Sequence, residues 1–179
     1  APPVDLKLLH LYYFMYSDAL WSDNTDSPYY IKYNPLEEMQ DRLQYAMFNS
    51  VGAIATDVSG WDRNMLARII TYYFDHYLAQ ICLGIPTEVI RYMKIVTIYS
   101  VLILPDGQML MKQRANPSGY PNTIRLNSVI QRVVNECCMA LAVVEEGLLD
   151  GAADPILALA DIDQHVTSFY CGDDGINFA

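Results

Sequence analysis

The sequence is poor in positive charge. Its 179 residues hold 11 Lys and Arg against 21 Asp and Glu, a formal charge of −10. A stand-alone nucleic-acid binder needs the opposite balance, because phosphate contacts rest on Lys and Arg. Taken alone, the charge argues against one. It is compatible with part of a larger protein whose basic surfaces lie elsewhere, or with carboxylates gathered to hold metal ions. Long apolar runs are also missing. The longest uncharged one, Ile95 to Leu104, is far short of the roughly 20 residues a spanning helix needs. No basic-plus-apolar leader opens the chain, and Asp5 and Lys7 interrupt its first apolar stretch, so a secreted or membrane-spanning protein is not expected. Cys82, Cys137, Cys138 and Cys171 form no C-x-x-C, and no His stands at zinc-finger spacing, which argues against a structural zinc site. Cys137 and Cys138 fall in a helical pattern and read as small buried hydrophobes, as in a reduced, intracellular compartment. The three histidines lie far apart, which argues against a metal or catalytic role for any of them. No internal repeat is present.

What is there suffices for one domain with a real core: 53% of the residues are hydrophobic and 18% charged. The apolar stretch 4–21 reads as helix and Ser22 to Pro28 as a polar turn. Asn34-Pro35-Leu36-Glu37 is a helix start, with Asn as cap and Pro at the first helical position. That helix should run to about Phe48 with Leu36, Met39, Leu43 and Met47 inward. Val51 to Thr56 reads as a buried strand ending at Asp57. Asp62 then caps a helix running to about Leu83, where Gly84-Ile85-Pro86 stops it. Val96 to Leu104 and Met109 to Gln113, joined by Pro105-Asp106-Gly107, form a β-hairpin. After the loop 116–122, a long helix runs from Thr123 to near Gly147. A short helix at Ile156 to Ala160 and a last hairpin follow, with strands 166–170 and 176–178 about a Cys171–Gly175 turn. The fold class is α+β.

Three segments carry possible chemistry. In Asp57-Val58-Ser59-Gly60-Trp61-Asp62, two carboxylates flank a tight turn at the mouth of a strand. In Ser118-Gly119-x3-Thr123-x3-Asn127, a glycine loop leads into a helix whose first turns carry Thr123 and Asn127 on one face, and backbone N–H groups at such a start suit phosphate. In Tyr170-Cys171-Gly172-Asp173-Asp174-Gly175, adjacent carboxylates sit at a hairpin turn, an arrangement that makes most sense beside a cation. Each alone has an ordinary structural explanation. Asp161-x-Asp163 opens like an EF-hand loop, but Val166 and Gly172 stand where Gly and Glu are required.

In this order, D-x4-D, SG-x3-T-x3-N and a strand with GDD resemble motifs A, B and C of the viral RNA-directed RNA polymerases. The match runs over about Val51 to Ala179 and is nearest the positive-strand RNA virus type. The resemblance implies a polymerase palm with a small antiparallel sheet backed by helices, plus part of the fingers. Residues 1–50 would be a fingers or palm-proximal helical segment, and 51–179 the palm core. Within the core, motif A spans 51–62, a fingers-like insert with its hairpin 84–116, motif B 117–147 and motif C 166–179. It further implies two-metal nucleotidyl transfer, with Asp57 and Asp173 holding two Mg²⁺ ions (Mn²⁺ the alternative) and Asp174 as a supporting ligand. Asp62 and Asn127 would read the ribose 2′-hydroxyl, Ser118 and Thr123 would shape that pocket, and Gly119 would give the loop its freedom. The implied partners are RNA template and primer, nucleoside triphosphates, and the fingers and thumb of a parent polymerase, in a replication complex of the host cytoplasm. Motif D and the thumb would follow Ala179, and no basic triphosphate clamp is recognisable in 1–50, so the 179-residue piece alone is expected to be inactive. Two alternatives stand beside this one. A reverse transcriptase-like palm has a similar Tyr-x-Asp-Asp turn but a bulky aromatic where Asp62 stands. A non-catalytic interaction domain would leave the acidic turns merely solvated. The polymerase reading makes a geometric demand: the strand ending at Thr56 must lie beside the 166–178 hairpin, with the acids at one edge.

Overall fold

A computed structural model describes Leu8 and residues 36–81, 84–117, 122–147 and 154–179; Leu8 apart, the expected helix over 4–21, the turn at 22–28 and the Asn34-Pro35 cap lie outside them. In chain order the elements are α1 (Leu36–Asn49), β1 (Ala53–Asp57), α2 (Trp61–Asn64), α3 (Ala67–Tyr72), a π-helical segment (Tyr73–Leu78), α4 (Ala79–Ile81), α5 (Thr87–Ile98), β2 (Ser100–Ile103), β3 (Met109–Lys112), α6 (Thr123–Glu145), α7 (Pro155–His165), β4 (Thr167–Cys171) and β5 (Asp174–Phe178). The mixture of helices with two small antiparallel sheets is the α+β class expected. The chain divides into two compact units: a helical unit containing Val58–Leu126, and a sheet unit containing Ser22–Asp57 together with Asn127–Ala179.

In the sheet unit the strand order is β1-β5-β4, antiparallel throughout. The strand before Asp57 thus lies beside the C-terminal hairpin, as the motif order demands. That hairpin is tighter than the sequence suggested. Cys171 pairs with Asp174, so the turn is only Gly172-Asp173. Gly172 takes φ +72° at the first central position, where a type II′ turn calls for glycine. On one face of the sheet Phe169, Phe178 and Ile176 pack against Ala46 and Leu43 of α1, and Arg42 lies over the Phe169 ring. Met47, expected inward, is 63% exposed; Ala46 takes its place, one residue and about 100° around the helix.

On the opposite face Thr56, Gly175 and Tyr170 form one cross-strand row. A Cβ on Gly175 would stand 2.8 Å from Thr56 Oγ1 and 3.0 Å from the Tyr170 ring, so this row closes only around glycine. β1 is an edge strand and mostly exposed, not the buried strand expected. A short apolar run reads alike in both settings, because periodicity does not report which neighbours a strand acquires. Cys137 and Cys138 are exposed on α6, contrary to expectation; Ala140, one turn on, is the residue that packs against Ala158 and Ile162 of α7. Helix α7 runs well beyond the stretch expected, from a start where Asp154 accepts a hydrogen bond from the Ile156 N–H at 2.9 Å.

In the helical unit the expected continuous helix after Asp62 is broken at Met65-Leu66, where both residues are extended. It resumes as α3 and then the π-helical segment, which buries Tyr73, Phe74 and Leu78. Ile90, Met93, Thr97 and Ile98 of α5 are buried as well. Tyr73 donates its hydroxyl proton to Asn122 Oδ1 at 2.9 Å. The hairpin strand expected from Val96 begins only at Ser100, because α5 continues through Ile98.

The close approach at Gly175 yields a test. Gly175→Ala should destabilise the protein by about 1–3 kcal/mol through overpacking, read from the denaturant midpoint. An unchanged midpoint would contradict the row geometry.

Candidate active site

Three carboxylates gather at one end of the sheet. Asp57 ends β1 and stands directly across from Asp174 on β5, while Asp173 occupies the turn beside it. Directly opposed residues have Cβ atoms about 4.5–5.5 Å apart, and like charges placed so are destabilising. All three acids are exposed. A cleft of about 290 Å³ is lined by Asp57, Asp174 and Cys171 and by Ala55, Ile176 and Phe169. Among the described residues, no three His, Cys, Asp or Glu are grouped to hold a metal ion by themselves. The donor set is nevertheless suited to Mg²⁺. Its oxygens are hard, and this ion is commonly bound by one or two carboxylates with the remaining positions filled by water and substrate phosphates.

Polar groups on α6 brace this edge, and the sequence reading did not single them out. Ser128, fully buried, accepts a hydrogen bond from the Gly172 N–H at 2.8 Å, which holds the hairpin turn. Gln131 Nε2 and Asn135 Nδ2 each donate to Thr56 Oγ1 at 3.1 Å, and Thr56 directs its own hydroxyl at the Gly175 carbonyl, 3.4 Å away. Tyr170 donates to Asn177 Oδ1 at 2.7 Å, and burial pushes its phenol above the usual range. The available signal was polar spacing: positions 128, 131 and 135 share one face of the helix. Asn127 precedes this stripe and is 4% exposed.

In the helical unit Asp62 is not a helix cap. Gly60, at φ +65°, holds the N-cap position, and Asp62 is the second residue of the single turn α2. Its backbone carbonyl accepts from the Asn116 N–H at 2.8 Å. Lys112 is half-buried; desolvation brings its ammonium down to about 8, with the charge of Asp62 acting the other way. Thr123 donates its hydroxyl proton to the Pro117 carbonyl at 2.9 Å and so closes the loop before α6. Ser118 and Gly119 lie outside the described residues. Arg125, fully buried, is another residue the sequence reading passed over; burial lowers it to about 10, so it remains a cation at neutral pH. An arginine flanked by Ile124 and Leu126 in the first turn of the helix was the clue.

A family model described as viral RNA-dependent RNA polymerase matches residues 20–178. Among solved structures, the chain is similar to the insertion-loop deletion mutant of the RNA-dependent RNA polymerase of a human picobirnavirus, with TM-score 0.69 and 15% identity. That likeness, which concerns the fold, covers 99% of this chain and 31% of the other; the chain spans about a third of that polymerase. No curated protein sequence matches.

The opposed acids carry a prediction. Without divalent ions, Asp174→Asn should raise stability by about 0.2–1 kcal/mol, the scale of one cross-strand pair. Mg²⁺ should raise the melting temperature of the wild-type protein and act more weakly on the variant. Calorimetry with and without Mg²⁺ reads both, and an Mg²⁺ response that Asp174→Asn leaves intact would exclude this acid from the ion's ligands.

Proposed function

Because this chain belongs to the viral RNA-dependent RNA polymerase family, we propose that it supplies the palm of an enzyme that copies RNA by two-metal nucleotidyl transfer. The observation that carries this reading is the register that sets Asp57 opposite Asp174, with Asp173 in the adjoining turn. Asp57 and Asp173 would hold the ions, with Asp174 in support. When bound there, two Mg²⁺ ions, or Mn²⁺ in their place, neutralise triphosphate charge and lower the pKa of the primer 3′-hydroxyl. The chain's own part is positioning, which dominates phosphoryl transfer. Ser128, Gln131 and Asn135 fix the strand end and the turn, so the carboxylates meet the substrate without rearrangement. Solvated acids in an interaction domain would have no need of a register that opposes two like charges.

The remaining assignments follow the family pattern. Asp62 and Asn127 would recognise the ribose 2′-hydroxyl, which separates RNA building blocks from DNA ones, with Ser118, Gly119 and Thr123 forming the loop and helix start that serve the incoming nucleotide. Residues 1–50 would belong to the fingers or adjoin the palm, 84–116 would be the fingers-like insert, and 51–62, 117–147 and 166–179 would carry the three motifs. Template, primer and nucleoside triphosphates would be the partners, together with fingers and thumb supplied by the rest of a polymerase of positive-strand type at work in the host cytoplasm. Alone, the 179 residues would hold no primer in place and would not extend it.

In the polymerase that carries this chain, Asp57→Asn or Asp173→Asn should lower nucleotide incorporation by roughly 10²–10³-fold or more, the scale on which a preorganised electrostatic contact acts, with the fold unchanged by circular dichroism. Near-normal primer extension by either variant would refute the assignment. Asn127→Ala should lower the preference for ribo- over 2′-deoxyribonucleotides, since a site built to bond a hydroxyl discriminates strongly against its absence. Competition assays with paired substrates measure this, and an unchanged ratio removes Asn127 from sugar selection.

A further inference from the structure

Where the helix after Asp62 breaks, backbone carbonyls lose their helical partners. In a continuous helix the Asp62 carbonyl would accept from Leu66 N–H and that of Met65 from Ile69 N–H. Instead the Asn116 N–H donates to Asp62 and the Ala115 N–H to Met65, both at 2.8 Å. The segment after β3 is thus bonded along the turn that carries Asp62, in place of the missing helix.

This attachment has a strained centre. Ala115 adopts φ +76°, a left-handed conformation that no other described non-glycine residue takes. Such a conformation is strained for a residue with a Cβ and persists where its surroundings over-determine it. Here both of its backbone polar groups are held: its N–H by Met65, and its carbonyl by Lys112 Nζ at 2.6 Å. Lys112 ends β3, is half-buried and bears its charge close enough to Asp62 to feel it. An exposed lysine at a hairpin end would serve solubility alone; this one bends inward onto a strained carbonyl.

We propose that Lys112 is a positioning residue for Asp62: by holding Ala115 in its left-handed conformation, it fixes the Ala115-Asn116 backbone against the Asp62 turn and sets a cation beside the Asp62 carboxylate. The proposal rests on the reading of Asp62 as a ribose-sensing residue, and it places part of sugar selection in a lysine of the hairpin that precedes the Ser118-Gly119 loop. In this role Lys112 acts through Asp62.

The test is a sugar-selectivity comparison in the polymerase that carries this chain, using ATP and 2′-deoxyATP as paired substrates. Lys112→Met should lower the ratio of their kcat/KM values roughly tenfold, the scale of one hydrogen bond to a charged group, with the loss concentrated on the ribonucleotide. Lys112→Arg, which keeps charge and donors, should recover most of the ratio. Should Lys112→Met fail to fold, Lys112→Gln removes the charge while keeping a donor, and it too should lower the ratio. A purely structural lysine would depress both substrates alike, and that result, or an unchanged ratio in a folded variant, overturns the proposal. Asp62→Ala run alongside separates the two readings. If it leaves the ratio unchanged, the ribose assignment fails, and this proposal with it. If it lowers the ratio while Lys112→Met does not, only the role of Lys112 fails.

Discussion

The register of β1 against β5 is the constraint on which the site depends. A slip of one residue would send every side chain of β1 to the other face of the sheet and would part Asp57 from Asp174. The row of Thr56, Gly175 and Tyr170 prevents that slip. The glycine leaves room for a threonine hydroxyl on one side and an aromatic ring on the other, an approach too close for any side chain at that position. Hydrophobic patterning would not hold this strand, because it is short, exposed and at an edge. Steric fit at a single position does the work that burial does elsewhere.

Polar bonds from α6 complete the arrangement. Thr56 receives two side-chain amides, and the buried Gly172 N–H, a donor that would cost about 1–3 kcal/mol if left unmatched, finds Ser128. The network is asymmetric. It secures the backbone and the inward-facing hydroxyls and leaves the carboxylates exposed on the far side of the strand. Opposed carboxylates run against stability, and they stand where chemistry is proposed. The helical unit has a counterpart in Ala115, where a strained residue is held by bonds that a continuous helix would have made within itself.

Much of this was legible beforehand. The order of the three motifs, the strand before Asp57, the hairpin around Gly172, and the start and length of α6 all follow from local signals: capping, glycine at a turn, and apolar periods long enough to be unambiguous. Taken together in their order, the aspartate pairs and the Ser-Gly to Asn spacing point to the family without a fold. Tertiary structure alone decided that β5, not β1, lies at the centre, that Ala46 and not Met47 faces the sheet, that Cys137 and Cys138 are exposed, and that the helix after Asp62 breaks to accept a distant segment. It also decided which polar residues matter: Ser128, Gln131, Asn135 and Lys112 have no motif of their own and acquire a role from what stands opposite them. The physical reason is range. Turn and helix signals act within a few residues of the chain, whereas an edge strand, a close approach at a glycine, or a lysine on a strained carbonyl exists only once segments tens of residues apart have been brought together.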